Sequence, residues 1–232
     1  MKNHDAIEEY FMPFRSGLIA LADPVQAEKM AKYMQGHFEF YGLPSPVRKA
    51  LQKQFLLEAG FPKPEDDAAI LTYLWQQPER EWQYFGLDMM LRMKKRWAAG
   101  FIDQLYWMIT HKSWWDTVDH LASHGLGAQW SRFPEQQKQQ LPQWVEDSNL
   151  WVRRATILFQ LKYKKVVDLD LQADILRKNL GSSSFFINKA IGWSLREISK
   201  TNHEWVLQFI EQTPGLSPLS KREALKWWNK HN

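Results

Sequence analysis

The sequence predicts an all-α protein built from helix pairs, and three observations carry that reading. Apolar residues recur at spacings of three and four in segment after segment, the period of a helix with one buried face. No stretch alternates apolar and polar residues as a half-buried strand does, and no hairpin dipeptide joins such runs. The segments are parted by short breaks rich in Pro, Gly and Ser, and successive pairs begin roughly 40 residues apart, the range of helical solenoids. That periodicity fits a superhelical solenoid of antiparallel pairs, whose concave side takes extended partners. It fits a compact irregular all-α domain equally well.

Residues 1–40 read as two helices, the second opened by Asp23-Pro24, a capping side chain followed by Pro at the first helical position. Gly42-Leu43-Pro44-Ser45-Pro46 breaks the chain. Pro46 opens a helix to about residue 59, with Arg48 and Lys49 in its first turn. A break at 60–64 precedes a helix over 65–76 and another from Pro78 to about residue 95, and Gly100 ends that unit. A short apolar helix over 101–110 leads into His111-Lys112-Ser113-Trp114-Trp115-Asp116-Thr117-Val118-Asp119. Ser113 and Asp116 read as a helix start, their side-chain oxygens bonding first-turn N–H groups. This central helix is expected from about residue 114 to 123, stopping near Gly125. Trp114, Val118, Leu121 and Ala122 form its apolar stripe, with Trp115 and Asp119 adjacent at the edge. After a break at Ser131-Arg132-Phe133-Pro134, helical pairs are expected over 135–147 and 149–164, 170–179 and 185–200, and 203–212 and 220 to the end.

The 232 residues suffice for a core without metal or disulfide staples, and they read as a single domain over 1–232. The chain contains no Cys, which excludes disulfides, thiolate metal sites and cysteine nucleophiles. Residues 1–10 are polar and carry no signal-peptide run, and no stretch approaches membrane-spanning length. A cytoplasmic protein without membrane contact is expected. Thirteen Trp are more than a chain of this length buries completely, so some should lie at grooves or rims. The net charge is +4, yet residues 150–200 alone carry ten Lys and Arg against four Asp and Glu, which leaves −2 for the rest. Positive charge gathered in one segment suits a surface that meets nucleic acid or another polyanion.

Ile187, Ile191, Leu195 and Ile198 make the buried stripe of one helix. Lys189, Trp193, Arg196 and Lys200 make a second stripe facing away, a basic face with an exposed indole that suits phosphates and sugars. Arg154 falls in the apolar stripe beside Leu150, Leu158 and Leu161, so it needs an anion: a structural ion pair, with Asp119 as the candidate, or a phosphate at a groove. Trp115, Arg154 and Trp193 are 39 residues apart in succession, which in a solenoid brings them to one surface with Asp119 beside them. A carboxylate in a groove built for phosphate needs a reason to be there, and catalysis supplies one. His120 and His124 are four apart but lack a third ligand and read as surface or core residues; no metal site is expected.

Ser-Trp-Trp-Asp-Thr-Val-Asp at 113–119, Leu-Trp-Val-Arg-Arg-Ala-Thr-Ile-Leu at 150–158, Phe-Ile-Asn-Lys-Ala-Ile-Gly-Trp-Ser-Leu-Arg at 186–196 and Glu-Trp-Gln-Tyr-Phe-Gly-Leu-Asp at 81–88 resemble the AlkD-type DNA alkylation-repair glycosylases. Tyr41-Gly42-Leu43-Pro44-Ser45-Pro46-Val47-Arg48 resembles that family's early Gly-x-x-Thr-Pro loop, with Ser in place of Thr. The resemblance spans nearly the whole chain. It implies a superhelix of HEAT-like repeats with a concave DNA-binding groove, acting on duplex DNA that contains alkylated bases; a solenoid can grip DNA alone, so a monomer is expected. The implied activity is hydrolytic excision of N3- and N7-alkylated purines, without cofactor or metal. Asp119 corresponds to the catalytic carboxylate, Trp115 and Trp193 to the groove tryptophans, and Arg154 to the backbone-gripping arginine. Ser45, Arg48, Lys49, Arg153, Lys189, Arg196 and Lys200 are the further candidates for contact with the DNA backbone. The alternative is a non-catalytic relative that binds distorted or branched DNA.

Overall fold

A computed structural model describes residues 4–231. Residues 1–3 and 232 lie outside it, so the expected ends of the domain and of the last helix fall outside the described residues. The chain is all-α: among the described residues no strand forms, and Glu39 and Glu79 make an isolated bridge. No described helix is long and apolar enough to cross a membrane. The residues group into two compact units, Met1–Arg96 and Trp97–Asn232.

The first unit holds α1 (His4–Ala20), α2 (Pro24–Tyr33), α3 (Ser45–Ala59), α4 (Asp67–Gln76) and α5 (Arg80–Met93). Asp23 caps α2 as expected, its carboxylate accepting from the N–H groups of Val25 and Gln26. Helix α5 starts two residues later than Pro78 suggested, because the Arg80 N–H donates to the Glu39 carbonyl and Glu79 is left as an extended cap. The core is aromatic: Phe11, Phe14, Phe55, Tyr73, Trp82 and Phe85 stack edge and face at 4.6–6.2 Å.

The loop before α3 is held from below. The fully buried Glu81 carboxylate accepts from the N–H groups of Tyr41, Gly42 and Leu43 at 2.9–3.2 Å. Gly42 sits at φ +90°, and a Cβ there would lie 2.2 Å from the Asp23 carbonyl oxygen. Only glycine serves both the turn and the close approach.

The second unit holds α6 (Phe101–Thr110), α7 (Trp115–His120), α8 (Gly127–Arg132), α9 (Pro134–Trp144), α10 (Leu150–Leu158), α11 (Leu169–Lys178), α12 (Phe185–Ser199), α13 (His203–Glu211), α14 (Pro218–Leu225) and α15 (Trp228–His231). The central helix departs from expectation at both ends. Ser113 does not cap it: the hydroxyl turns back and donates to the Ile109 carbonyl, and Trp114 occupies the extended position before α7. Nor does the helix stop at Gly125. It continues through a π-helical turn, Leu121–Leu126, where the Gly127 N–H donates five residues back to the Ala122 carbonyl, and passes into α8. Gly127 is needed for packing, since a Cβ there would lie 2.3 Å from the Phe159 carbonyl oxygen. Val118, Leu121 and Ala122 are buried as expected, whereas Trp114 lies half-buried against Trp151 and Phe186.

Ile187, Ile191, Leu195 and Ile198 are buried along α12, and α14 packs hard against that helix. Gly192 permits the approach: a Cβ there would meet the Ser220 carbonyl oxygen at 2.8 Å and the Glu223 Cβ at 2.5 Å. The Ser220 hydroxyl locks the contact by donating to the Asn188 carbonyl at 2.8 Å. Trp227 and Trp228 are half-buried, and Trp228 stacks on His203 at 3.4 Å.

Candidate functional site

An open cleft of about 280 Å³ in the second unit is lined by Trp115, Asp116, Asp119, His120, Ser123, His124, Leu161, Lys162, Trp193 and Glu197. Trp115 opens α7, Asp119 lies one turn later, and Trp193 comes from α12. The 39-residue spacing therefore does bring both indoles and the carboxylate to one surface. Both indoles are half-buried, so Trp193 is not the fully exposed ring its basic neighbours suggested.

Arg154 lies beneath Asp119. Its Nε donates to Oδ1 at 2.7 Å and its Nη2 to Oδ2 at 2.8 Å, a bidentate pair with side-chain exposures of 4% and 13%. Its Nη1 donates to the Phe186 carbonyl. The ion pair with Asp119 that the sequence allows for Arg154 forms, and the guanidinium is buried. Burial pushes the Asp119 carboxyl above the ordinary aspartate range, and the hydrogen bonds and charge of Arg154 hold that rise back. The Asp119 carbonyl accepts from the Ser123 hydroxyl at 2.8 Å, at the start of the π-helical turn. Wide turns of this kind recur at functional positions.

The basic stripe of α12 is arranged differently from expectation. Glu223 of α14, 2% exposed, accepts from Lys189 at 2.8 Å and from Arg196 at 3.3 Å, and pairs with Lys226 as well. Burial pushes this carboxyl up, and Lys189 and Lys226 more than reverse that, leaving it below the ordinary glutamate range. Lys189 and Arg196 flank Trp193 with their charges already partly balanced. Lys200 is exposed just past the end of α12 and pairs with Glu197 at 2.6 Å. Arg153, another candidate for DNA contact, is half-buried, and its Nη1 donates to the Asp147 and Ser148 carbonyls of the preceding turn.

In the first unit, Ser45 and Lys49 are exposed on the first turns of α3. Arg48 is buried between them, with Nη1 donating to Asp88 at 3.0 Å and its guanidinium over the Tyr84 ring. It ties α3 to α5 and is buried.

Sequence reasoning passed over Glu197 and Lys162 in the cleft. Glu197 had a signal, since it lies one helical turn after Trp193. His120 and His124, which the sequence gives no role, stack at 4.5 Å along the cleft wall. Among the described residues no three His, Asp or Glu side chains stand together as metal ligands.

A family model described as "DNA alkylation repair enzyme" matches residues 14–228. A solved structure described as a predicted DNA alkylation repair enzyme from Enterococcus faecalis is 33% identical, with a TM-score of 0.81 over 89% of this chain and 96% of that one. Among curated proteins no significant match was found.

Proposed function

The chain belongs to the DNA alkylation repair enzyme family, and from that premise we propose that it is a monofunctional DNA glycosylase excising N3- and N7-alkylated purines from duplex DNA. The observation that carries this reading is the Asp119 carboxylate, fixed by Arg154 and opening into a cleft beside two half-buried indoles.

Alkylation at N3 or N7 makes the purine cationic. Its glycosidic bond breaks with the electron pair leaving on the base, which departs neutral and needs no acid, Lewis acid or cofactor. Positive charge then develops on the deoxyribose. Asp119 stabilises that charge across a short distance in a partly desolvated cleft. A water whose oxygen forms the new bond to C1′ is oriented by the same carboxylate, and its proton passes through the carboxylate to solvent. Arg154 occupies one lone pair on each oxygen of Asp119 and leaves others for that water. Trp115 and Trp193 present indole faces to the cationic sugar.

In this scheme Arg154 is a positioning residue that acts through Asp119. Ser45 and Lys49, exposed on α3, and Lys189, Arg196 and Lys200 near α12 contact the DNA backbone. Arg48 ties α3, which carries Ser45 and Lys49, to Asp88 of α5.

A non-catalytic reading, binding to distorted DNA, is favoured by one observation: a bidentate ion pair also suits a carboxylate whose role is structural. Base release from methylated duplex DNA separates the two. Release of 7-methylguanine or 3-methyladenine by the wild type, abolished in Asp119→Asn, supports the glycosylase. Intact binding without release supports the binder.

A further inference from the structure

The turn after α10 carries Leu-Lys-Tyr-Lys-Lys-Val-Val at 161–167, in a segment the function above does not use. It is pinned at one end and in the middle. Gln160, almost fully buried, closes one end: its Oε1 accepts from the Asp168 N–H at 2.9 Å, while its Nε2 donates to the Asp168 carbonyl and to Gln172. In the middle, the Tyr163 hydroxyl reaches into the unit and donates to the Gly127 carbonyl at 2.7 Å. Lys164 is held at φ +55°, a left-handed conformation that strains a residue with a Cβ.

What this anchoring presents is charge. Lys162, Lys164 and Lys165 are exposed, and among the described residues none of their side chains has an ion-pair or hydrogen-bond partner. That sets them apart from Lys189, Arg196 and Lys200, whose charges are met by Glu223 or Glu197. Lys162 lines the cleft that holds Asp119, Trp115 and Trp193. With Lys164 and Lys200 it also lines an adjoining pocket of about 320 Å³. A flexible lysine tail needs neither the Gln160 clasp nor the Tyr163 anchor nor a strained backbone; a preset cationic ledge uses all three.

We propose that Lys162, Lys164 and Lys165 form a rigid phosphate-binding ledge that holds the DNA strand alongside the cleft, with Lys162 on the phosphate nearest the reacting sugar. The inference rests on the DNA reading above, and it requires duplex binding but not excision.

The test is the salt dependence of duplex binding by the purified full chain, followed by fluorescence anisotropy with an unmodified duplex. Wild type is compared with Lys162→Ala/Lys164→Ala/Lys165→Ala and with the charge-matched control Lys29→Ala/Lys32→Ala/Lys63→Ala, three exposed lysines on α2 and in the break before α4. Abolishing one lysine–phosphate interaction flattens the slope of log affinity against log salt by about one. The ledge variant is expected to flatten by about two to three and the control by less than about one. Equal slopes in the ledge variant and the control, with base release intact, overturn the ledge and leave the glycosylase reading standing. A flattened slope in a protein that releases no base keeps the ledge and removes the glycosylase. No duplex binding by the wild type removes both.

Discussion

Arg154 grips both oxygens of Asp119, and the pair is closed to solvent on the arginine side and only slightly exposed, to the cleft, on the carboxylate side. Removing the arginine strands a buried carboxylate. Arg154→Ala is expected to lower stability by about 3–5 kcal/mol, the cost of breaking a buried pair. For a chain of this length that is a fall in melting temperature of roughly 10 °C. Arg154→Lys keeps the charge but not the fork, so it should recover part of the stability while base release stays reduced. Thermal melts and single-turnover release on the two variants check this.

Asp119→Asn keeps the shape and removes the charge. Base release is expected to fall by about 10²–10³, the scale of removing one preorganised electrostatic group, with duplex binding unchanged or tighter. A variant that releases base at the wild-type rate contradicts the catalytic assignment.

Burial sets the sign of the pH dependence at Asp119. Its carboxyl is raised above the ordinary aspartate value, so base release should fall on acidification at a higher pH than an exposed aspartate would set. Stability runs the other way. The folded state holds this proton more tightly than the unfolded chain, so ionisation costs folding free energy as pH rises from the ordinary value through the raised one. Melts of wild type and Asp119→Asn across that range should show the difference moving against the wild type as pH rises.

Glu223 predicts the opposite trend. Its folded value is depressed, so its contribution is present above the ordinary glutamate value and is lost as pH falls through the depressed one. Glu223→Gln is expected to cost about 2 kcal/mol near neutrality, from weakened charge-assisted hydrogen bonds, with the gap to wild type closing in acid. Gly192→Ala tests the same packing by size. Its Cβ meets backbone of α14, so about 1–3 kcal/mol should be lost whatever the pH.

Trp115→Ala and Trp193→Ala should each slow base release by roughly 2- to 30-fold, the range of one cation–π contact of about 0.5–2 kcal/mol. Their effect on binding to undamaged duplex should be smaller than their effect on release, since the cationic sugar forms only during the reaction.

Much of this arrangement is legible in the sequence because it is local or periodic. Asp23-Pro24 marks the start of α2, Ile187 to Ile198 mark the buried side of α12, and the spacing of Trp115 and Trp193 brings both indoles to the cleft, with Arg154 buried beneath it. The misses come from contacts made at a distance. Glu223 is an acidic residue in a polar helix until Gly192 lets that helix close on α12. Gly125 reads as a stop because nothing in composition reveals whether an N–H reaches back four residues or five. Ser113 has the residue type of a cap and uses its hydroxyl on the previous helix instead.

The π-helical turn at Leu121–Leu126 joins two segments, each held by its own contacts. Upstream, Asp119 is fastened to Arg154; downstream, Gly127 is seated against Phe159 and receives Tyr163. The wide turn absorbs a residue that a regular helix would express as a rotation of about 100°. It is a phase adjuster. Deleting one residue between 121 and 126 would regularise the helix and leave its two ends out of register, so that the carboxylate and the lysine ledge could not both keep their seats. Shortening would make the helix more ideal and the site worse.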